Sequence, residues 1–101
     1  MWHHDKARQV VQAYVTAVTN AGGCIVDDAT LDRPYGWVFF YQARMLIETG
    51  GPHEMLCGNA PIIFNRVSGT YHLTGTAHPV EQYISQYEKT LPLLQLSMPP
   101  Q

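Results

Sequence analysis

The sequence predicts an α+β domain: an N-terminal helix, an antiparallel sheet of three to four strands and a C-terminal helix, with both helices on one face of the sheet. Three observations predict it. Apolar residues recur at helical spacing near each end of the chain. Between those stretches lie runs of β-branched and aromatic residues. The runs are joined by short Gly- and Pro-containing connections, which favour hairpins and so an antiparallel sheet.

The first element is a helix over residues 5–21. Ala7, Val10, Val11, Tyr14, Val15 and Val18 form one apolar face, while Lys6, Arg8, Gln12, Thr16 and Thr19 fall mostly on the other. Asp5 suits the N-cap or the positive end of the helix dipole. Gly22 and Gly23 then stop the helix. Residues 24–30 predict a strand that starts buried and becomes exposed, followed by a turn over 31–36 containing Pro34 and Gly36.

Trp37-Val38-Phe39-Phe40-Tyr41 is the strongest strand signal. Strand alternation places Trp37, Phe39 and Tyr41 on one face and Val38 and Phe40 on the other. Residues 43–60 are harder to assign, with Arg44 to Glu48 extending the strand and His53 to Cys57 as a single helical turn. Ile62-Ile63-Phe64 and Thr70-Tyr71-His72-Leu73-Thr74 predict a hairpin around the Asn65–Gly69 loop. Pro79 suits the first position of a second helix, whose apolar stripe is Val80, Tyr83, Ile84, Tyr87 and Leu91. Residues 1–91 thus read as one domain, and 92–101, with three prolines, as a loosely packed tail.

Composition narrows the function. The chain has 101 residues, enough for one core but with little room for a deep substrate cavity. Its apolar fraction is 46% and its net charge −2, which argues against a disordered chain. A nucleic-acid binder needs a basic stripe to neutralise phosphates, and Lys6 and Arg8 are the only close basic pair. No run approaches the ~18 apolar residues that span a bilayer, and the first residues carry no secretory pattern. The expected location is the cytoplasm, with Cys24 and Cys57 reduced and buried.

Catalytic and cofactor patterns are lacking. Ser68 precedes Gly69 without a GxSxG elbow. Cys57 with His53 or His72 is the conceivable thiol pair, but His53 reads as a loop residue and His72 as solvent-facing. His3 and His4 are adjacent and diverge, and Asp27, Asp28 and Asp32 lack calcium-loop spacing. No Gly-rich phosphate cradle occurs, so no cofactor or metal is expected. What remains is charge. Asp27, Asp28 and Asp32 against Arg33 leave residues 24–34 at −2, the net charge of the whole chain. Such a patch steers a basic protein partner, and Tyr35 beside it would add an aromatic anchor.

Gly36-Trp37-Val38-Phe39-Phe40-Tyr41 followed by Leu46-Ile47-Glu48-Thr49-Gly50 resembles the strand and loop of the immunity protein 35 family. The resemblance continues through Gly58-Asn59-Ala60-Pro61-Ile62-Ile63, Ser68-Gly69, Gly75-Thr76, Pro79 and Glu81 to Glu88. It implies a bacterial immunity protein that binds and neutralises a cognate toxin, and it marks no catalytic residue. Its shared positions read physically as scaffold: Gly36, Gly58, Gly69 and Gly75 at turns, Pro61 opening a strand, Asn59 bonding a loop, and Trp37, Tyr83 and Tyr87 in the core. Partner contacts are then expected at Asp27, Asp28, Asp32 and Tyr35, with Glu48 and Glu54 on the central loop. Two rivals stand beside this. A chaperone-like binder of cytosolic proteins would use an apolar patch on an uncovered sheet face. An enzyme would use Cys57 or His72.

Overall fold

The computed structural model describes residues 1–43 and 60–99. Glu48, Glu54, Cys57, Gly58 and Asn59 lie outside them, as do the expected strand extension and the single helical turn.

Helix α1 runs His4–Val18, starting one residue before the expected 5–21 and ending three before it, with Asp5 in its first turn rather than at the cap. Ala7, Val11 and Val15 are its buried positions. The predicted strand over 24–30 is two short strands, β1 Gly23–Ile25 and β2 Leu31–Arg33. A 3-10 turn at Asp27–Ala29 separates them, with Ala29 N–H donating to Val26 O at 3.0 Å. The Trp37–Tyr41 run is divided as well. Strand β3 spans Gly36–Phe39 and β4 spans Tyr41–Ala43. Strands β5 Ile62–Asn65 and β6 Thr70–Leu73 form the expected hairpin.

Among the described residues these strands make two antiparallel sheets, β1-β4 and β2-β3-β5-β6. β1 and β2 follow one another along the same chain path that β3 and β4 trace. The 3-10 turn lets the first path shift from pairing Ile25 with Tyr41 to pairing Leu31 with Val38. That shift is why one predicted strand appears as two.

Side-chain alternation survives the split. Trp37, Phe39, Ile62 and Phe64 pack with Ala7, Val11 and Val15 of α1, and Tyr41 joins them. Val38 and Ile63 point the other way, into a second core with Tyr35 and Ile84, flanked by Phe40, Val80 and Tyr87. Ile84 belongs to helix α2, Val80–Glu88, whose cap is Pro79 rather than its first turn. The two helices therefore lie on opposite faces of the four-stranded sheet, which corrects the one-face expectation. The cause is visible in β3 and β5, which are buried at every position. A strand apolar on both faces must be covered on both.

The C-terminal segment is also tied down more firmly than its prolines predict. Leu93–Leu96 forms a one-turn helix, α3, and Leu91 and Leu96 pack against the second core. Asn65 Nδ2 donates to Gln95 Oε1 at 2.9 Å and to the Tyr87 hydroxyl at 3.2 Å. Arg66, 3% exposed, donates to the carbonyls of Pro34 and Pro99. At the other end Trp2 lies over Gly69, whose φ of +72° is the left-handed conformation that glycine adopts without penalty.

Candidate functional site

The β2–β3 register sets Asp32 opposite Trp37, so both side chains project to the α1 side of the sheet. The first turn of α1 meets them there. His3, His4, Asp5, Asp32 and Trp37 line an open cleft of about 450 Å³. The His4 ring packs edge-on against Trp37, with centroids 5.6 Å apart. Trp37 itself is 4% exposed and serves as the floor, a core residue rather than a surface anchor.

Asp27 and Asp28 stand on the 3-10 turn that leads into β2, both exposed. They are not equivalent. Arg8 donates Nε to Asp27 Oδ1 at 2.6 Å and Nη2 to Asp27 Oδ2 at 3.0 Å, a two-pronged pair. The hydrogen bonds from Arg8 hold the Asp27 carboxyl below the usual carboxylate range, and Asp27 raises Arg8 in turn. The pair is close to neutral from a distance. The negative charge offered to a partner therefore comes chiefly from Asp28 and Asp32, since Asp5 lies 3.3 Å from His4 Nδ1. The sequence read Arg8 as half of a basic pair and Asp5 as a helix cap or dipole partner, neither as a site residue. A helix position facing a loop 19 residues later carries no local signal.

Tyr35 does not serve as a surface anchor. It is fully buried, with its ring 5.6 Å from that of Tyr87 and its hydroxyl donating to Glu88 Oε2 at 2.9 Å. Burial, reinforced by Glu88, pushes its phenol well above the ordinary tyrosine range. A residue with no exposed area offers nothing to a partner, so the expectation is corrected. The sequence placed it in a polar turn, but the tail and α2 close over that turn.

Of the positions read as scaffold, Trp37 lies in the first core and Tyr87 packs against the second, whereas Gly36 opens β3 rather than a turn and Tyr83 belongs to neither core. A Cβ at Gly36 would sit 1.8 Å from the Phe64 carbonyl oxygen. Pro61 is buried at the entry to β5, and its carbonyl accepts from the Thr74 N–H at 3.2 Å. A Cβ at Gly75 would meet the Tyr83 hydroxyl at 2.7 Å. That hydroxyl accepts from the Ala77 N–H at 3.2 Å.

His72 lines a small cleft of about 310 Å³ with Tyr83, Gln86, Tyr87 and Thr90, a set without thiol or carboxylate. Among the described residues no group of three or more His, Cys, Asp or Glu side chains converges as a metal site. Among them, too, no helix is long and apolar enough to cross a membrane. What the arrangement offers is a shallow acidic surface on a rigid sheet.

The family model described as Immunity protein 35 matches residues 5–88. Among curated proteins, the uncharacterized protein YrhB of Escherichia coli (strain K12) is 47% identical over 53 residues, covering 52% of this chain and 56% of that protein. The chain thus matches little more than half the length of that relative. No solved structure matches.

Proposed function

The chain belongs to the immunity protein 35 family, and on that premise we propose that it binds a bacterial protein toxin in the cytoplasm, one-to-one, and occludes its active site. The observation that carries the binding surface is the charge of Asp28 and Asp32, which no ion pair takes up among the described residues, with Asp32 lining the α1–β2 cleft and Asp27 already satisfied by Arg8. Charge of one sign on a rigid face accelerates encounter with a basic partner and disfavours acidic ones. Glu48 and Glu54, outside the described residues, are further candidates for contact with the partner. Binding alone suffices for protection, so no catalytic group is required of the chain.

The test is co-expression with the C-terminal domain of a large secreted protein encoded beside the gene. Restored growth, with a saturable complex in calorimetry, supports the reading. In that complex Asp28→Lys with Asp32→Lys should weaken affinity about tenfold or more, with a steep salt dependence. Asp27→Asn should weaken it far less. Growth arrest that the chain fails to relieve would overturn the assignment. Unchanged affinity in the double variant would move the site elsewhere on the surface. The chaperone-like reading relied on an uncovered sheet face, and α2 occupies that face.

A further inference from the structure

The four-stranded sheet ends in two unlike edges. β2 carries Asp32 and Arg33, the kind of charge that blocks edge pairing. β6 reads Thr70-Tyr71-His72-Leu73, exposed at every residue, without a Lys, Glu, Asp or Pro. Tyr71 is 41% and Leu73 47% exposed, large values for such side chains. Both share the α1 side of the sheet, since they pair with Phe64 and Ile62. Tyr14 of α1 packs on Tyr71 at 5.5 Å between ring centroids. Val18, four residues beyond Tyr14 on the same helical stripe, is exposed and extends the apolar surface.

The backbone of β6 is arranged for a specific partner. Thr74 N–H donates to the Pro61 carbonyl, which makes that a hydrogen-bonded position of the ladder. Bonded and non-bonded pairs alternate in an antiparallel ladder. Ile63–His72 is then bonded, whereas Ile62–Leu73 and Phe64–Tyr71 are not. The N–H and C=O groups of Tyr71 and Leu73 consequently point out of the sheet. Among the described residues nothing takes them up.

We propose that β6 pairs antiparallel with β6 of a second copy of this chain, about a twofold axis at His72. Only this register matches the outward groups of both copies with the apolar side chains in contact. Tyr71 of one copy then faces Leu73 of the other, and each such pair exchanges both N–H···O=C bonds. The edge is its own complement, which is what a twofold interface requires. It is uncharged, so a chain with a net charge of −2 meets its copy where no like charges are opposed. The two sheets become one, and the acidic β2 edges remain at its far ends, open to partners. A four-residue strand with a small apolar flank buries less than the ~1,200 Å² of a standard interface, so the dissociation constant should be on the order of 10 μM.

Sedimentation of the full chain from about 5 to about 500 μM, a range that brackets this constant, should show a monomer–dimer transition. Hydrogen exchange at the Tyr71 and Leu73 amides should slow with concentration over the same range. His72→Lys sets like charges directly opposite at the axis and should raise the dissociation constant about tenfold or more, with an unchanged circular dichroism spectrum. Gln9→Lys, exposed on α1 away from β6, should leave it unchanged. A chain monomeric throughout, or a dimer indifferent to His72→Lys, would overturn the proposal. Protection of the two amides only when a toxin domain is added would assign the edge to the toxin instead.

Discussion

Arg8 on α1 and Asp27 on the 3-10 turn form a two-pronged ion pair, at 2.6 and 3.0 Å, that joins the helix to the β1–β2 connection. It fixes that connection where the chain passes from one sheet to the other. Both side chains keep contact with solvent, so the pair should contribute only about 0.5–1 kcal/mol. Asp27 has a depressed carboxyl in the folded state. Its contribution is therefore complete above the unfolded value near ~3.9 and is lost as pH falls through the lower folded value. Asp27→Asn should lower stability to chemical denaturation near neutral pH by that amount, and the two proteins should converge in acid. A difference that persists at pH values below the carboxylate range would show that the side chain acts through packing rather than charge.

The same pair shows what sequence can and cannot disclose. Helix periodicity located the starts of α1 and α2 to within one residue and their ends to within three, because each is decided by its own residues. Alternation at Trp37–Tyr41 put each side chain on its correct face, even across the break between β3 and β4. Which helix covers which face is not a local property. It follows from the total apolar area of β3 and β5, and the run at residues 62–64 held the clue that two covers were needed. The acidic residues were legible as charge, but their neutralisation was not. Asp27 and Asp28 are identical in composition and differ only in whether Arg8 reaches them. Tyr35 was misplaced for the related reason that its turn is buried by residues some fifty positions later.

Tyr35 and Glu88 give the second prediction. Tyr35→Phe removes the donor to Glu88 while keeping the ring in the second core, and Arg33 Nε remains 3.7 Å from Glu88 Oε2. The cost should be about 1 kcal/mol, or roughly 4–8 °C in melting temperature for a domain of this size. The phenol is raised in the folded state. The stability it confers is then present below the unfolded tyrosine value of about 10 and lost as pH climbs beyond it. The wild-type protein should lose stability more steeply than Tyr35→Phe above that pH. Parallel alkaline limbs for the two proteins would refute this account of the hydroxyl.

Gln12 gives the third. Its side-chain amide acts as a short stretch of strand: Nε2 donates to Gly23 O at 3.2 Å, and Oε1 accepts from Ile25 N–H at 3.1 Å. The outer edge of β1 is thereby satisfied from the helix rather than by another strand. Gln12→Ala should cost about 1–2 kcal/mol, since a half-buried donor and acceptor both lose their partner. Gln12→Glu should be no milder, because a carboxylate keeps the bond to Ile25 but opposes the Gly23 carbonyl. Thermal melts that rank Glu near wild type would show that only the Ile25 bond matters.

Gly36 gives the fourth. Its φ of +154° and the 1.8 Å between a built Cβ and the Phe64 carbonyl oxygen mean that β3 meets β5 backbone to backbone at this point. Gly36→Ala cannot be absorbed by a side-chain movement, because the obstructing atom belongs to the neighbouring strand. The ladder must open at its Gly36–Asn65 end, and a loss of about 3 kcal/mol or more is expected. A melting temperature within a few degrees of wild type would contradict the close approach.

Arg66 makes the last prediction the sharpest test of the tail. Its guanidinium is buried, and a buried charge is tolerated only when its donors are occupied. Two of its acceptors are main-chain carbonyls, one on the β2–β3 turn at Pro34 and one at Pro99. Gln95 meanwhile satisfies Asn65, whose Oδ1 accepts from the N–H groups of Val67 and Ser68 and so shapes the β5–β6 turn. Ending the chain after Leu91 removes Pro99, Gln95 and the Leu96 contact together. A loose tail would make that truncation neutral. The structure instead calls for a loss of about 2–4 kcal/mol in chemical denaturation, set by an exposed core edge and by the loss of the Arg66–Pro99 hydrogen bond. Arg66→Met in the truncated chain should recover part of that loss, because it withdraws the charge that the Pro99 carbonyl had accepted from. Failure of the methionine to recover any of it would mean that the tail acts through Leu96 and not through Arg66.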